Sequence, residues 1–379
     1  MTGYVNVLIA GGGPAGSLSA IYIGKEHDVT VVEEHQSAGF PVQCAGLISE
    51  SCYTKLREFV SDRCYLNDIK GAFFFSPDGN YLEMIGDSKA VVIERKVLDS
   101  ELLKRAAKYA EVRLKTTFKH AEGNIALLKS PEGAFTVEYN ILIGADGASS
   151  SVARTFGFRK PEFFSALQFE CGFEAIDSEM VELYFGRRYS DSFFGYAVPV
   201  DEETARIGVV SREDSLHYLN NILEKHPSVS RRVKKRKLLE LNAGVIPIGI
   251  VNFVKGNVAL IGDSAGMVKP YTGGGLYYHL VAAEILGMAF PDLNAYREAY
   301  MKKMGLEYRI GEKIHHLYST LSDEDYNMLV KVGREEQIGE IVKNLHMDSP
   351  SSMLKILPKI LKILSKNPKL FARVGKTLL

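Results

Sequence analysis

Cysteine, net charge and long apolar runs are all scarce in this chain, and each shortage excludes something. Cys44, Cys52, Cys64 and Cys171 are the only cysteines among 379 residues. Four are too few to staple a fold, and none stands in CxxC spacing, so neither a zinc cluster nor a ferredoxin-type iron–sulfur site is expected. Cys52 and Cys64 read as buried structural thiols or, in a thermophile, as a disulfide pair. No group of His, Asp and Glu has metal-ligand spacing. The 46 basic residues balance 46 acidic ones, which argues against a general nucleic-acid binder. No apolar run is long enough to cross a bilayer. The first residues show no basic segment followed by an apolar core, so no signal peptide is expected and the chain reads as soluble and cytoplasmic.

What is present suffices for a large core: 46% hydrophobic residues against 24% charged. The length suggests two domains or slightly more. The charge balance hides an asymmetry. Residues 349–379 hold six Lys, one Arg and no acid, which leaves 39 basic against 46 acidic residues in the rest of the chain.

Residues 5–10, VNVLIA, read as a buried parallel strand. They run into Gly11-Gly12-Gly13-Pro14-Ala15-Gly16, then a helical stretch over 17–24, then a second strand over 28–32 that ends in Glu33-Glu34. This is GxGxxG in the context it needs: strand, tight turn, helix, strand, acid. Gly11 permits the turn. Gly13 lets backbone N–H groups approach a pyrophosphate, with Pro14 and Ala15 completing the loop, and Gly16 lets the helix pack close to the strand. The helix N-terminus offers free donors and the positive end of a dipole. Glu33 lies 17 residues beyond Gly16, where a carboxylate accepts from ribose hydroxyls, and Glu34 adjoins it. An acid there disfavours a 2′-phosphate, so FAD or NAD is expected rather than NADP. His35 fits a surface position as well as an adenosine contact.

Two later segments choose FAD. Residues 139–143 form another apolar strand, followed by Gly144-Ala145-Asp146-Gly147. Residues 258–261 form a further strand ending in Gly262-Asp263. After it come Ser264-Ala265-Gly266, Pro270 and the triple glycine Gly273-Gly274-Gly275, which opens a helix over 276–286. A carboxylate at the end of a parallel strand, Asp146 or Asp263, can bind a ribityl hydroxyl. The triple glycine can bring N–H groups to the electron-rich edge of a flavin, where the helix dipole stabilises negative charge on the reduced ring.

With GxGxxG, GADG and GD standing in order, the chain resembles the FAD-dependent monooxygenase-like superfamily. Within it the chain is most similar to the geranylgeranyl reductase family. Three segments carry the likeness: Pro41-Val42-Gln43-Cys44-Ala45-Gly46, Val181-Glu182-Leu183-Tyr184-Phe185-Gly186, and Gly262-Asp263-Ser264-Ala265-Gly266 running on to Pro270. It covers roughly residues 3–300 and no motif of the C-terminal part. The resemblance implies an α/β fold (α+β overall): a Rossmann-like GR2-type FAD-binding domain, an inserted antiparallel β-sheet substrate domain and a helical C-terminal region. It also implies that Cys44, Ala45 and Gly46 lie beside the flavin. Ile93-Glu94-Arg95 opens a helix to about residue 110 and is similar to the segment in which an arginine contacts FAD. That role falls to Arg95, with a helix-entry salt bridge as the plain alternative. The family carries an aromatic YxWxFP signature over its substrate cavity. Here the segment is Phe194-Gly195-Tyr196-Ala197-Val198-Pro199, with two ring types changed and one ring lost at Val198. The departure leaves the exact substrate open.

Residues 70–75 and 81–85 flank Ser76-Pro77-Asp78-Gly79-Asn80, a hairpin signal. Residues 163–175, 180–185, 193–199 and 205–211 also read as strands, giving an antiparallel sheet inserted into the nucleotide-binding domain and facing the flavin. Its Phe and Tyr residues suit an apolar, lipid-sized pocket, with Tyr184, Phe194, Tyr196 and Pro199 assigned to substrate. Rings that are simply core are the alternative. The limits expected are 1–69 with 93–155 and 253–300 for the FAD domain, 70–92 with 156–252 for the substrate domain, and 301–379 for the helical region.

The run RRVKKRK at 231–237 has six basic residues in seven. It suits a phosphate headgroup or an anionic membrane, or simply a solvated loop or helix. Asn367-Pro368 reads as the N-cap and first position of a last helix. Ahead of it, Leu357, Ile360, Leu361 and Leu364 fall on one helical face and Lys355, Lys359, Lys362 and Lys366 on another. Such a helix either lies on an anionic bilayer, at the inner face of the membrane, or packs on the body with its lysines in water. Both readings stand.

The resemblance implies that reduced FAD saturates double bonds of a prenylated glycerophospholipid or prenyl diphosphate, with hydride going to one carbon and a proton to the other. An isolated alkene accepts hydride poorly, so an acid must assist. Cys44 is the first candidate, with pocket shaping or flavin contact as its alternative. Tyr196 and Tyr184 follow it. With no second GxGxxG, the electron donor expected is a transient NADPH or a ferredoxin. Two other classes compete: an FAD monooxygenase of a small aromatic substrate, and a flavin electron-transfer protein without catalysis. The basic tail and the PxxC segment favour the reductase. No nucleic-acid partner is expected.

Overall fold

The computed structural model describes residues 5–40 and 44–378, with the side chains of 235–238 and 375–378 excepted. Pro41, Val42 and Gln43 of the PxxC segment lie outside the described residues.

The chain opens with β1 (Asn6–Ala10), α1 (Pro14–Ile23) and β2 (Asp28–Val32). It then makes a first excursion through β3 (Leu47–Ser49), α2 (Glu50–Leu56) and the long hairpin β4 (Tyr65–Phe75) and β5 (Tyr81–Ile93). It returns through α3 (Arg95–Ala106) and β6 (Glu111–Arg113) to a small meander, β7 (Thr117–Glu122), β8 (Ile125–Ser130) and β9 (Gly133–Glu138). After β10 (Ile141–Gly144) and α4 (Ser151–Thr155) comes a second excursion. Its elements are β11 (Glu162–Phe173), β12 (Met180–Tyr184), β13 (Gly195–Pro199), β14 (Thr204–Ser211), α5 (Ser215–Lys225) and β15 (Val233–Ile248). β16 (Val254–Lys255), β17 (Val258–Leu260) and α6 (Leu276–Ala289) bring the chain back. The rest is helical: α7 (Leu293–Thr320), α8 (Asp323–Glu335), α9 (Ile338–Val342), α10 (Leu357–Ser365) and α11 (Pro368–Leu378).

The first sheet has six strands in the order β16-β17-β10-β1-β2-β6, parallel except for the edge strand β16. Val7 to Ala10 and Ile141 to Ile143 are all buried. Strands that are apolar at every position require cover on both faces. Helices α1, α3, α6 and α7 contribute it, and Leu18, Leu102, Leu280 and Tyr300 share one core with these strands.

The second sheet has eight strands in the order β15-β11-β14-β13-β12-β4-β5-β3. One pair departs from the expected antiparallel pattern: β12 runs parallel to β4, with Val181 beside Ala72. Parallel pairing follows because the two strands come from different excursions and need no hairpin between them. β3 and all of β4 belong to this sheet, although residues up to 69 were expected in the nucleotide-binding unit, and α7 runs unbroken through residue 300. The meander β7-β8-β9 makes a third sheet that the sequence reading lacks. Much of it is exposed, so its apolar alternation is faint.

The basic run at 231–237 leads into the edge strand β15, not a loop or helix. Charge along an edge strand discourages pairing with another chain. Arg232 is not solvated: its two terminal nitrogens bond the carboxylate of buried Glu182 at 2.7 and 2.6 Å. Beside this pair lies His226, buried against Phe75, Tyr184 and Tyr189. Its Nδ1 accepts from the N–H groups of Ser228 and Val229. Burial, with Arg232 adding to it, pulls the imidazole down to about 4.

That shift gives the fold a pH dependence. The unfolded chain binds this proton near the ordinary histidine value, while the folded chain refuses it down to about 4. Stability is therefore fully present above the ordinary value and is lost as pH falls toward 4, by roughly 3 kcal/mol at most. Urea unfolding of the wild type and of His226→Gln between pH 7 and about 4 should differ in slope by close to one proton. Parallel pH curves would refute the assignment.

The tail packs on the body. Ile363 and Leu364 of α10 and Leu370 and Val374 of α11 are buried, most of them in a cluster with Leu321 and Tyr326. Lys355, Lys359, Lys362 and Lys366 are exposed. The last helix begins at Pro368, where the sequence put it. Among the described residues no helix is long and apolar enough to cross a membrane. Cys52 and Cys64 are both buried and unpaired.

Candidate cofactor and substrate site

β1 ends on Ala10, level with Gly144 of β10 and Val32 of β2. The chain must then turn in a crowded corner. Gly11 does so at φ +106° and donates its N–H to Val32 O at 2.8 Å. A Cβ on Gly11 would lie 2.2 Å from Ala145 O, and one on Gly16 would lie 2.0 Å from Gly11 O. Gly13 is different, because a Cβ there meets nothing within 4 Å. With Pro14 and Ala15 it lines a cavity. α1 starts at Pro14, three residues earlier than expected, and no side chain caps it. An uncapped helix start beside an open glycine face suits a pyrophosphate.

Glu33 is buried at the end of β2. Its Oε2 accepts Gly12 N–H at 2.8 Å, and its Oε1 accepts His35 N–H at 2.9 Å and stands 2.8 Å from His35 Nδ1. The carboxylate thus stiffens the glycine loop from the position expected for a ribose contact. Glu34 is exposed, 4.0 Å from His35 Nε2, and takes no part in the cavity wall.

The two strand-end carboxylates differ. Asp146 accepts from Ser150 Oγ at 2.5 Å and from the N–H groups of Ser151 and Val152 at 2.6 and 3.0 Å. The expectation of a free ribityl ligand at Asp146 is corrected. The short helix α4 needs that carboxylate for its own N–H groups, and Gly147 lines the cavity in its place. Asp263 stays open, with a side chain 37% exposed on the cavity wall just after Gly262.

Gly273, Gly274 and Gly275 line the same cavity where α6 begins, again without a side-chain cap. His279, one turn into α6, had no expected role. Its Nε2 stands 3.1 Å from Asp263 Oδ1 without hydrogen-bond alignment, and its Nδ1 has no hydrogen-bond partner. Orphaned ring nitrogens on a cavity wall fit a ligand rich in hydrogen-bonding groups.

Cys44 and Arg95 meet on another stretch of this wall. Arg95, at the start of α3, holds Asp99 through Nε–Oδ1 at 2.9 Å and Nη2–Oδ2 at 2.8 Å. Burial works against its charge, but Asp99 and Cys44 more than offset that and raise its proton affinity. Salt bridge and cavity position coexist, since Arg95, Asp99, Cys44 and Ala45 all line the cavity. Cys44 Sγ accepts Gly46 N–H at 3.3 Å. Cys44 O accepts Gln168 Nε2 at 3.2 Å, and Gln168 Oε1 accepts the Tyr196 hydroxyl at 2.9 Å. Tyr196 is therefore tied to an amide, and burial pushes its phenol upward, which makes it a poorer acid.

β12 and β13 supply the far wall. Val181 and Leu183 of β12, with Phe185 just beyond it, line the cavity, as do Phe194, Tyr196 and Val198 around β13. Strand side chains alternate, so Glu182 and Tyr184 face the opposite core. There Tyr184 donates to Glu182 Oε2 at 2.9 Å. The substrate and acid roles expected of Tyr184 are corrected accordingly. Pro199 is also outside the lining, at the end of β13 opposite Ala205. The cavity holds about 800 Å³, within the usual range for small-molecule sites.

Residues that no motif marked close the cavity. Lys343, His346, Met347, Asp348 and Met353, between α9 and α10, all line it. Tyr271 Oη donates to Met347 O at 2.6 Å. Lys269 Nζ lies 2.9 Å from Asp348 Oδ1, with the two side chains 6% and 7% exposed. Asp348 Oδ2 accepts from Ser49 Oγ. A base between GD and the triple glycine could have drawn notice to Lys269. Asp348 gives no local signal. Among the described residues no cluster suits a metal ion.

The family model described as lycopene cyclase protein matches residues 6–316. An uncharacterized protein of Methanocaldococcus jannaschii is 30% identical over 374 residues, covering 94% of this chain and 95% of that one. The digeranylgeranylglycerophospholipid reductase of Methanosarcina acetivorans is 30% identical over 364 residues, covering 86% and 87%. Among solved structures, a geranylgeranyl bacteriochlorophyll reductase-like protein from Thermoplasma acidophilum has a TM-score of 0.82 at 22% identity, covering 99% of each chain, and so shares the fold. A flavin-dependent brominase and a p-nitrophenol 4-monooxygenase align less closely, at 0.70 and 0.65.

Proposed function

This chain belongs to the lycopene cyclase protein family and is 30% identical to a digeranylgeranylglycerophospholipid reductase over most of its length, and from that premise we propose that it is an FAD-dependent reductase of the isoprenoid double bonds in a membrane-lipid precursor. One observation carries the reading: a single cavity joins the glycine loop, the triple glycine and Cys44 to an apolar wall of Leu183, Phe185, Phe194 and Val198. An enzyme for a small polar substrate would not need that wall. An isoprenoid chain does, since each buried methylene contributes about 0.8 kcal/mol.

Bound and reduced, FAD supplies the hydride. The residues supply the rest. Gly13 and the start of α1 receive the pyrophosphate and Asp263 a ribityl hydroxyl, while Glu33 braces the glycine loop through Gly12. The start of α6 stabilises negative charge at the ring edge. The apolar wall holds the chain and excludes water. Cys44, on the cavity wall with Arg95, gives the proton to the carbon that does not receive hydride. Cys44→Ser should stay yellow and fold normally, yet saturate lipid about 100-fold more slowly. Unchanged turnover would remove Cys44 as the acid.

A stopped anaerobic assay tests the whole reading. Protein reduced with dithionite is mixed with a geranylgeranylated glycerolipid while the flavin band is followed. Return of the oxidised band, with a pair of hydrogens gained per bond in the lipid mass, is expected. A flavin that stays reduced under lipid but reoxidises with oxygen and an aromatic substrate would replace the reading with a monooxygenase. The electrons come from a carrier that needs no second dinucleotide fold, a ferredoxin or a transient NADPH, and titration with each distinguishes them. The exposed lysines of the C-terminal helices give peripheral contact with anionic lipid.

A further inference from the structure

Saturation consumes one proton for every double bond, and the apolar cavity offers little to replace it. We propose that Ser51, Ser49, Asp348 and Lys269 form a route that carries solvent protons into the cavity and restores those given up there. The proposal rests on the reductase reading above.

The groups are continuous from surface to wall. Ser51 is exposed, and its Oγ lies 3.0 Å from Ser49 Oγ. Ser49 is buried and hydrogen-bonds Asp348 Oδ2. Asp348 Oδ1 accepts from Lys269 Nζ at 2.9 Å, and Lys269, Asp348 and Ser49 all line the cavity. A buried ion pair is a weak stabilising device, often matched by apolar residues of similar volume. Stability alone is thus a poor reason for Lys269 and Asp348 to meet in an apolar wall. The inner end of the route opens on the cavity that the proposed acid, Cys44, also lines.

The steps balance. The alkene takes hydride from reduced FAD on one carbon. Its π electrons form a bond to the Cys44 proton on the other, leaving a thiolate. Lys269 passes a proton from Nζ across the cavity to that thiolate and becomes a neutral amine. The Asp348 carboxylate takes a proton from Ser49 on Oδ2, rotates, and hands it to Nζ. Ser49 recovers its proton from Ser51, and Ser51 from a solvent water, which leaves as hydroxide. One solvent proton has entered, and every side chain on the route has returned to its starting state.

The route predicts a stall after the first bond, since the first proton is already stored on Cys44. Holoenzyme kept reduced by excess dithionite is mixed with a geranylgeranylated glycerolipid and quenched over time, and the lipid mass counts the bonds saturated. In Ser49→Ala and Asp348→Asn the ratio of later to first rates should fall about tenfold below that of the wild type. Ser49→Thr, which keeps both the hydroxyl and the bond to Cys52 N–H, should restore it. Flavin absorbance and melting temperature are read on the same samples. Variants slowed equally on first and later bonds, or not slowed at all, overturn the route. Should Asp348→Asn fail to fold, Ser49→Ala and Ser51→Ala decide by the same ratio. A wild type that saturates no bond overturns the reductase reading instead.

Discussion

Gly13→Val should give a folded protein that purifies without colour. Gly13 sits at φ −65° and ψ −178°, extended backbone that valine adopts freely. A Cβ there touches nothing within 4 Å, so the protein interior loses nothing. As the N-cap of α1 the change costs about 1 kcal/mol. The new methyl groups would instead project into the cavity where a pyrophosphate must approach the backbone. The expected loss of FAD affinity is at least about 100-fold, or ~3 kcal/mol. Visible absorbance against protein concentration measures it, and circular dichroism confirms the fold. A yellow protein with stoichiometric FAD would remove the loop from the cofactor site. Gly11→Val is the contrast. At φ +106°, and with a Cβ 2.2 Å from Ala145 O, it should damage the fold itself.

Arg206→Met should cost about 3–5 kcal/mol of stability, the range for removing one partner from a buried charge network. Arg206 is 3% exposed and holds four acceptors at once. Nε donates to Glu170 at 2.8 Å, Nη2 to Glu94 at 3.0 Å, and Nη1 to Ala45 O and Ile93 O at 3.0 and 3.1 Å. The two carbonyls belong to the loop that carries Cys44 and to the approach to Arg95. The guanidinium on β14 therefore fixes the loop that carries Cys44 to the eight-stranded sheet. Urea unfolding should show the loss, and a triple variant with Glu94→Gln and Glu170→Gln should recover part of it by removing the stranded charges. A loss under about 1 kcal/mol would mean the network is solvated and unimportant.

The nucleotide-binding half was legible because its code is local. Glycines, apolar strands and strand-end acids lie within a few residues of one another, and β2 falls at 28–32 as expected. The failures share a different cause. Tyr184 carries the right ring in the right segment, but one step along a strand reverses the face. Asp146 stands at a strand end like Asp263, yet Ser150 and the N–H groups behind it compete for its oxygens. The run at 231–237 looks solvated because its charge hides a strand, and Arg232 is paired with a glutamate 50 residues away. Lys269 and Asp348 are 79 residues apart. Nothing in either neighbourhood points to the other, so only the folded chain reveals that they meet.

The parallel pair of β12 on β4 has a consequence for how the protein is made. Met180 pairs with Gly71, so the partner of β4 leaves the ribosome long after β4 itself. At ordinary synthesis rates the hairpin waits roughly 5–20 s with that edge bare. Its side chains there, Phe73, Phe74 and Phe75, are among the most adhesive in the chain. The nascent polypeptide thus passes through an interval in which only three adjoining strands of its eight-stranded sheet are in place, open to any other extended strand. Yield in a foreign host should depend on holding that edge apart until residue 184 has emerged.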